Sequence, residues 1–116
     1  MNYRIEEYKL KNGIRDISII FDEKYELLTT FMSCDVMTFE DWIKADFDRV
    51  LSGESEYEEV NGNVCCAEIS PKITKVYDNL AEDAMGKWCE VDTKELRHLI
   101  EVWCDKVKEF KNERND

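Results

Sequence analysis

One histidine, one proline and four glycines are all that this chain of 116 residues holds of the residue types on which most small active sites and tight loops depend. The single histidine, His98, has no partner at catalytic spacing, because Cys104 falls six residues later rather than the four that would share a helical face. There is no Gly-x-Ser-x-Gly, no His-Glu-x-x-His and no glycine-rich loop to cradle a phosphate. Nucleophilic, metal-assisted and phosphate-transfer chemistry therefore lack their usual sequence carriers, and neither an enzyme nor a cofactor is expected. The five cysteines (Cys34, Cys65, Cys66, Cys89, Cys104) include no Cys-x-x-Cys pair, so no zinc ligand set is expected. Their odd number fits small core residues in a reducing compartment. No apolar run is long enough to span a bilayer, and Asn2 to Lys11 is mostly polar where a secretory leader would be apolar. A cytoplasmic location is the expectation.

Positive charge is also scarce. Sixteen basic residues against 27 acidic ones leave a formal net charge of −11. Nucleic acid and anionic membrane both require neutralised phosphates, so neither is expected as a direct ligand. A basic protein partner is the electrostatic complement, captured faster by the field of the whole chain. Hydrophobic residues at 43% and aromatics at 11% are enough for a packed core, and the length suits one domain over residues 1–116, with 112–116 expected to fray.

Two Asn-Gly pairs punctuate the chain, and Asn-Gly between alternating runs is a strong hairpin signal. The first, Asn12-Gly13, separates Tyr3–Lys11 from the β-branched run Ile14–Phe21. Tyr25–Met32 reads as a third strand of a meander. Thr38 is expected to cap a helix whose stripe of Phe39, Trp42, Ile43, Phe47, Val50 and Leu51 faces the core, and Gly53 to end it. After the second pair, Ser70-Pro71 turns the chain into a strand over Ile73–Tyr77. Lys87–Val91 is a short strand or extended lead-in. Asp92 then caps a last helix, with Glu95 three residues on and a stripe of Leu96, Leu99, Ile100, Trp103, Val107 and Phe110. The order β-β-β-α-β-β-β-α predicts an α+β fold: one mostly antiparallel sheet of about five to six strands with two helices on one face.

The chemistry that is present is acid. In the second hairpin, a two-residue loop at Asn61-Gly62 would mix apolar and acidic groups on both faces. A three-residue loop, Asn61-Gly62-Asn63, pairs Val60 with Val64 and sorts the faces better. In that register Glu54, Glu56, Glu58 and Glu68 gather on one face, with Glu56 nearly opposite Glu68. Like charges across a strand pair cost up to about 1 kcal/mol. The cluster is either solvated surface or a site held for a cationic partner. Asp78, Glu82 and Asp83, in the acidic stretch Asp78–Gly86, extend the candidate partner-binding set; they lack the spacing of a calcium loop, and no metal is expected.

Phe39-Glu40-Asp41-Trp42, Val50-Leu51-Ser52-Gly53-Glu54, Asn61-Gly62-Asn63 and the run from Val76-Tyr77-Asp78 to Trp88 resemble a group of small acidic bacterial proteins and, more distantly, the YacL-like family. Chains of this type resemble immunity proteins, which neutralise the toxin domain of a contact-dependent or other polymorphic toxin system. The resemblance covers residues 38 to 110 and carries over no catalytic or binding residue. It implies a cytosolic inhibitor whose carboxylates stand in for phosphates in the basic cleft of a nuclease toxin, with Glu56, Glu58 or Asp83 receiving its Arg or Lys. The competing reading is a non-catalytic cytoplasmic adaptor that offers an exposed Trp88 or Tyr57 to its partner.

Overall fold

The computed structural model describes residues 2–78 and 88–114. The fold is α+β with antiparallel pairing throughout, as the pattern predicts, but the strands divide into two sheets. β1 (Tyr3–Lys9) and β2 (Arg15–Phe21) form a two-stranded hairpin. Its turn closes through Leu10 N–H donating to the Ile14 carbonyl at 2.8 Å, and Gly13 takes the left-handed backbone (φ 85°) that the turn requires.

The expected third strand is helical. After a short 3-10 turn (Glu23–Tyr25), α1 (Glu26–Thr30) runs on without a break into a π-helical stretch, Phe31–Val36. Leu28, Phe31, Met32, Asp35 and Val36 are all buried. Their spacing of three, four, seven and eight residues from Leu28 is a helical stripe, and it overrides the β propensity of Thr29, Thr30 and Phe31. Thr38 does not cap the next helix: its hydroxyl donates back to the Cys34 carbonyl at 2.9 Å. The chain breaks instead at Phe39 and continues as α2 (Glu40–Leu51), which Gly53 terminates with a φ of 85°.

β3 (Glu58–Asn61), β4 (Cys65–Ile69), β5 (Ile73–Asp78) and β6 (Trp88–Asp92) form the second sheet, in sequence order. α3 (Thr93–Arg114) follows directly, its first turn capped by Asp92, whose Oδ1 accepts the Glu95 N–H at 2.8 Å. The helix runs through Asn112 and Glu113, residues expected to fray. Its six predicted stripe residues are all buried, and Trp103 Nε1 donates to the Met32 carbonyl at 3.0 Å, tying α3 to the π-helical stretch. α2 packs on β3 and β4 and α3 on β5 and β6, so both cover the sheet face that carries Val60, Cys65, Ala67, Ile69, Val76, Cys89 and Val91.

A bridge of charges stitches the two long helices together. Lys44 Nζ donates to Glu40 Oε2 and to Glu101 Oε2, each at 2.8 Å, and Arg97 Nε donates to Asp48 Oδ1 at 2.9 Å. Burial works to lower the Lys44 pKa, but its two carboxylate partners outweigh it and hold the ammonium above its ordinary value.

Candidate functional site

The second hairpin has neither of the registers expected from its Asn-Gly pair. Glu58 pairs with Ile69, Glu59 with Glu68, Val60 with Ala67 and Asn61 with Cys66. Gly62 N–H donates to the Cys65 carbonyl at 2.9 Å, leaving Asn63-Val64 as the turn. The cause lies outside the hairpin. Asp35, fully buried in the π-helical stretch, accepts the backbone N–H groups of Asn63 (2.7 Å), Val64 (3.3 Å) and Cys65 (2.7 Å). Gly62 passes so close to this carboxylate that a Cβ there would stand 2.4 Å from Asp35 Cγ. Gly62 is therefore required for close approach, and neither it nor Asn63 adopts a positive φ. Burial, with the neighbouring Asp35 charge adding to it, pushes the Cys65 thiol up to about 12.

The register redistributes the predicted acids. Glu58 and Glu68 lie on opposite faces of the sheet, so the expected cluster of Glu54, Glu56, Glu58 and Glu68 on one face does not form. Glu58 turns toward α2, where Arg49 Nε donates to its Oε1 at 3.3 Å. Glu54 and Glu56 are exposed in the connection before β3. Glu68 faces outward opposite Glu59. Asp78 ends β5 on the inner side, paired with Cys65. Glu82 and Asp83 lie outside the described residues.

The alternation of the four strands puts Glu59, Asn61, Cys66, Glu68, Ile73, Lys75, Tyr77, Trp88, Glu90 and Asp92 on the face away from the helices. One row across the sheet reads Glu59, Glu68, Lys75, Glu90; the next reads Asn61, Cys66, Tyr77, Trp88. α2 and α3 pack on the opposite face, and at the margin of this one Trp88 borders a small pocket with Glu23, Lys24, Glu26 and Leu27. Trp88 is 53% exposed and Ile73 44%. Lys75 Nζ lies 5.0 Å from the Trp88 ring centroid and 5.9 Å from that of Tyr77, a cation–π arrangement that holds the long side chain over the aromatics. Burial, then Cys66, Glu68 and Glu59, push the Tyr77 hydroxyl up to about 12, and burial with the same two glutamates raises Tyr57.

A second exposed aromatic was missed. Trp42, assigned by spacing to the core stripe of α2, is 73% exposed and stacks on Phe39 with ring centroids 6.0 Å apart. Ile43, Phe47 and Val50 carry the buried stripe, and Trp42 sits one residue, about 100° of helix, to its side. It borders a groove of about 550 Å³ between α2 and β3. Apolar spacing alone does not separate a core tryptophan from one at the margin.

Among the described residues no three His, Cys, Asp or Glu side chains converge as a metal site, and no helix is long and apolar enough to cross a membrane. His98 is exposed on α3, and all five cysteines are free, Cys34 alone being exposed. The outward sheet face sets large exposed aromatics among carboxylates, a composition suited to contact area and electrostatic steering.

A Bacillus cereus protein named "Immunity protein" is 46% identical over 115 residues, covering 99% of this chain and 97% of its own length. No family model matches the chain. No solved structure matches it either.

Proposed function

This chain belongs to the family of immunity proteins represented by its Bacillus cereus relative, and from that premise we propose that it binds and neutralises the toxin domain of a cognate polymorphic toxin in the cytoplasm. The toxin domain is a basic protein, most simply a nuclease, since a nuclease needs a cationic cleft for phosphate. The outward sheet face carries Glu59, Glu68 and Glu90 around Trp88, Tyr77 and Lys75, and it occludes that cleft. Glu54 and Glu56, exposed beside the start of β3, extend the negative surface. Carboxylates take the place of phosphates in pairing with the toxin's Arg and Lys, and the aromatics supply the desolvated centre such pairs need to be strong. Inhibition is steric and changes no bond in the toxin.

The observation that carries this reading is the open face itself: an exposed tryptophan and two acidic strand positions directly opposite one another, Glu59 and Glu68. Like charges placed opposite each other destabilise an isolated sheet, and a cationic partner removes that cost. The test is to mix the purified chain with the toxin domain encoded beside its gene and follow the toxin's activity. Stoichiometric loss of activity, with the chain recovered unmodified, is expected. Full toxin activity at a saturating excess of the chain would sink the proposal.

A further inference from the structure

We infer that the groove between α2 and the free edge of β3 receives an extended basic segment of the partner, which joins the sheet as a new edge strand anchored on Trp42. The inference rests on the immunity reading and names a contact that reading leaves open.

β3 is an outer strand of the four-stranded sheet. The bond from Gly62 N–H to the Cys65 carbonyl fixes the ladder's phase, so Glu58 and Val60 direct their backbone groups at β4 while Glu59 and Asn61 direct theirs outward. An edge of this kind is a template for a further strand. Directly beside it lies the groove of about 550 Å³, lined by Phe39, Trp42, Asp46, Arg49 and Val60 among others. A strand added to β3 would thus lay alternate side chains over Trp42, the most exposed large apolar residue of the described chain at 73%. Tryptophan at the margin of a groove is the side chain most often found anchoring an interface.

Charge selects the occupant. The cation in the groove, Arg49, already pairs with Asp46 and with Glu58. Burial holds the Asp46 carboxyl above its usual range despite Arg49, and Glu58 adds to the effect. An incoming Lys or Arg would relieve that unfavourable charge. Glu59 lines the groove as well, and Glu54 and Glu56 are exposed in the connection that leads into β3. A second copy of this chain would bring the glutamates of β3 against their own kind, so like-charge repulsion opposes self-pairing at this edge. A basic segment meets no such penalty.

Amide hydrogen exchange on the full chain, alone and bound to its cognate toxin domain, tests this directly. The Glu59 and Asn61 amides should exchange freely in the unbound chain and slow at least about tenfold in the complex. Asn61→Pro removes one outward N–H without touching the β4 ladder, and Trp42→Ala removes the anchor. Each should weaken toxin binding by roughly tenfold or more while leaving the melting temperature close to wild type. Should Asn61→Pro fail to fold, Trp42→Ala and the exchange data decide the matter. Tight binding with unprotected amides and an indifferent Trp42→Ala overturns the added strand and leaves the proposed function standing. A wild-type chain that binds no toxin overturns both. A free chain that is already a dimer with these amides protected assigns the groove to a second copy, and overturns the inference too.

Discussion

The carboxylate of Asp35 and the backbone of Gly62 occupy space that only a glycine leaves open, since a Cβ on residue 62 would stand 2.4 Å from Asp35 Cγ and 2.7 Å from each of its oxygens. The same carboxylate holds the turn through three backbone N–H groups, so a helix residue sets the register of a distant hairpin.

Asp35→Ala should destabilise the fold by about 3 kcal/mol, because it leaves buried N–H donors without an acceptor. Gly62→Ala should cost about 2 kcal/mol through the clash. The double variant should lose less than the sum, since removing the carboxylate frees the space the methyl needs. Urea denaturation of the four proteins gives this cycle directly; strict additivity would mean that the two residues do not act on one another.

That pair also marks where sequence reasoning reached its limit. Periodicity located α3 and its whole buried stripe, and the first Asn-Gly hairpin closed where expected, because in both cases the deciding contacts are local. In the second hairpin the same dipeptide misled. Its glycine answers to Asp35, which is 27 positions away in the chain, and no local turn rule contains that contact. The register then moved Glu59 to the open face and Glu58 to Arg49, changing which acids a partner can meet. The helical stripe Leu28, Phe31, Met32, Asp35, Val36 was present in the sequence, but a buried aspartate within it and the β-branched Thr29-Thr30 beside it disguised the period. Net charge and the shortage of catalytic residue types indicated a binding protein, whereas the exposure of Trp42 and Trp88 depends on which helix covers which face.

Only Cys34 among the five cysteines is exposed. Burial pushes the Cys65 thiol up to about 12 and the Cys89 and Cys104 thiols up to about 11. A thiol reagent at pH 8 should therefore modify one cysteine rapidly in the folded protein and all five in denaturant. The linkage has a definite sign. Raised thiol pKa values contribute stability that is complete below the unfolded value near 9 and lost as pH climbs toward 11 to 12. Stability should fall over that alkaline window.

The bond from Lys44 holds the Glu40 and Glu101 carboxyls below the usual carboxylate range, against the opposing effect of burial. Depressed carboxylates contribute stability that is present above their unfolded value of 4.5 and lost as pH drops through the lower folded values. Lys44→Met should cost about 1–2 kcal/mol at neutral pH, for a bridge that is only partly buried. It should also flatten the loss of stability below pH 4.5. Asp46, shifted the opposite way by burial, offsets part of the acid effect. Thermal melts across pH 3 to 7 check both slopes.

Trp88→Ala should weaken toxin binding by about 2 kcal/mol and leave the fold intact, because the side chain is 53% exposed and carries Lys75 over it. Calorimetric titration of the toxin domain into this variant, beside its melting curve, separates a contact from a structural role.

The most direct test of the account is the rate at which the chain captures its cognate toxin domain at low and at high salt, for the wild type and for Glu59→Lys/Glu68→Lys. A negative face meeting a positive cleft predicts fast association that slows steeply with added salt, and a double reversal that slows it by roughly tenfold or more at low salt with folding preserved. Association that ignores both salt and the reversal would contradict it.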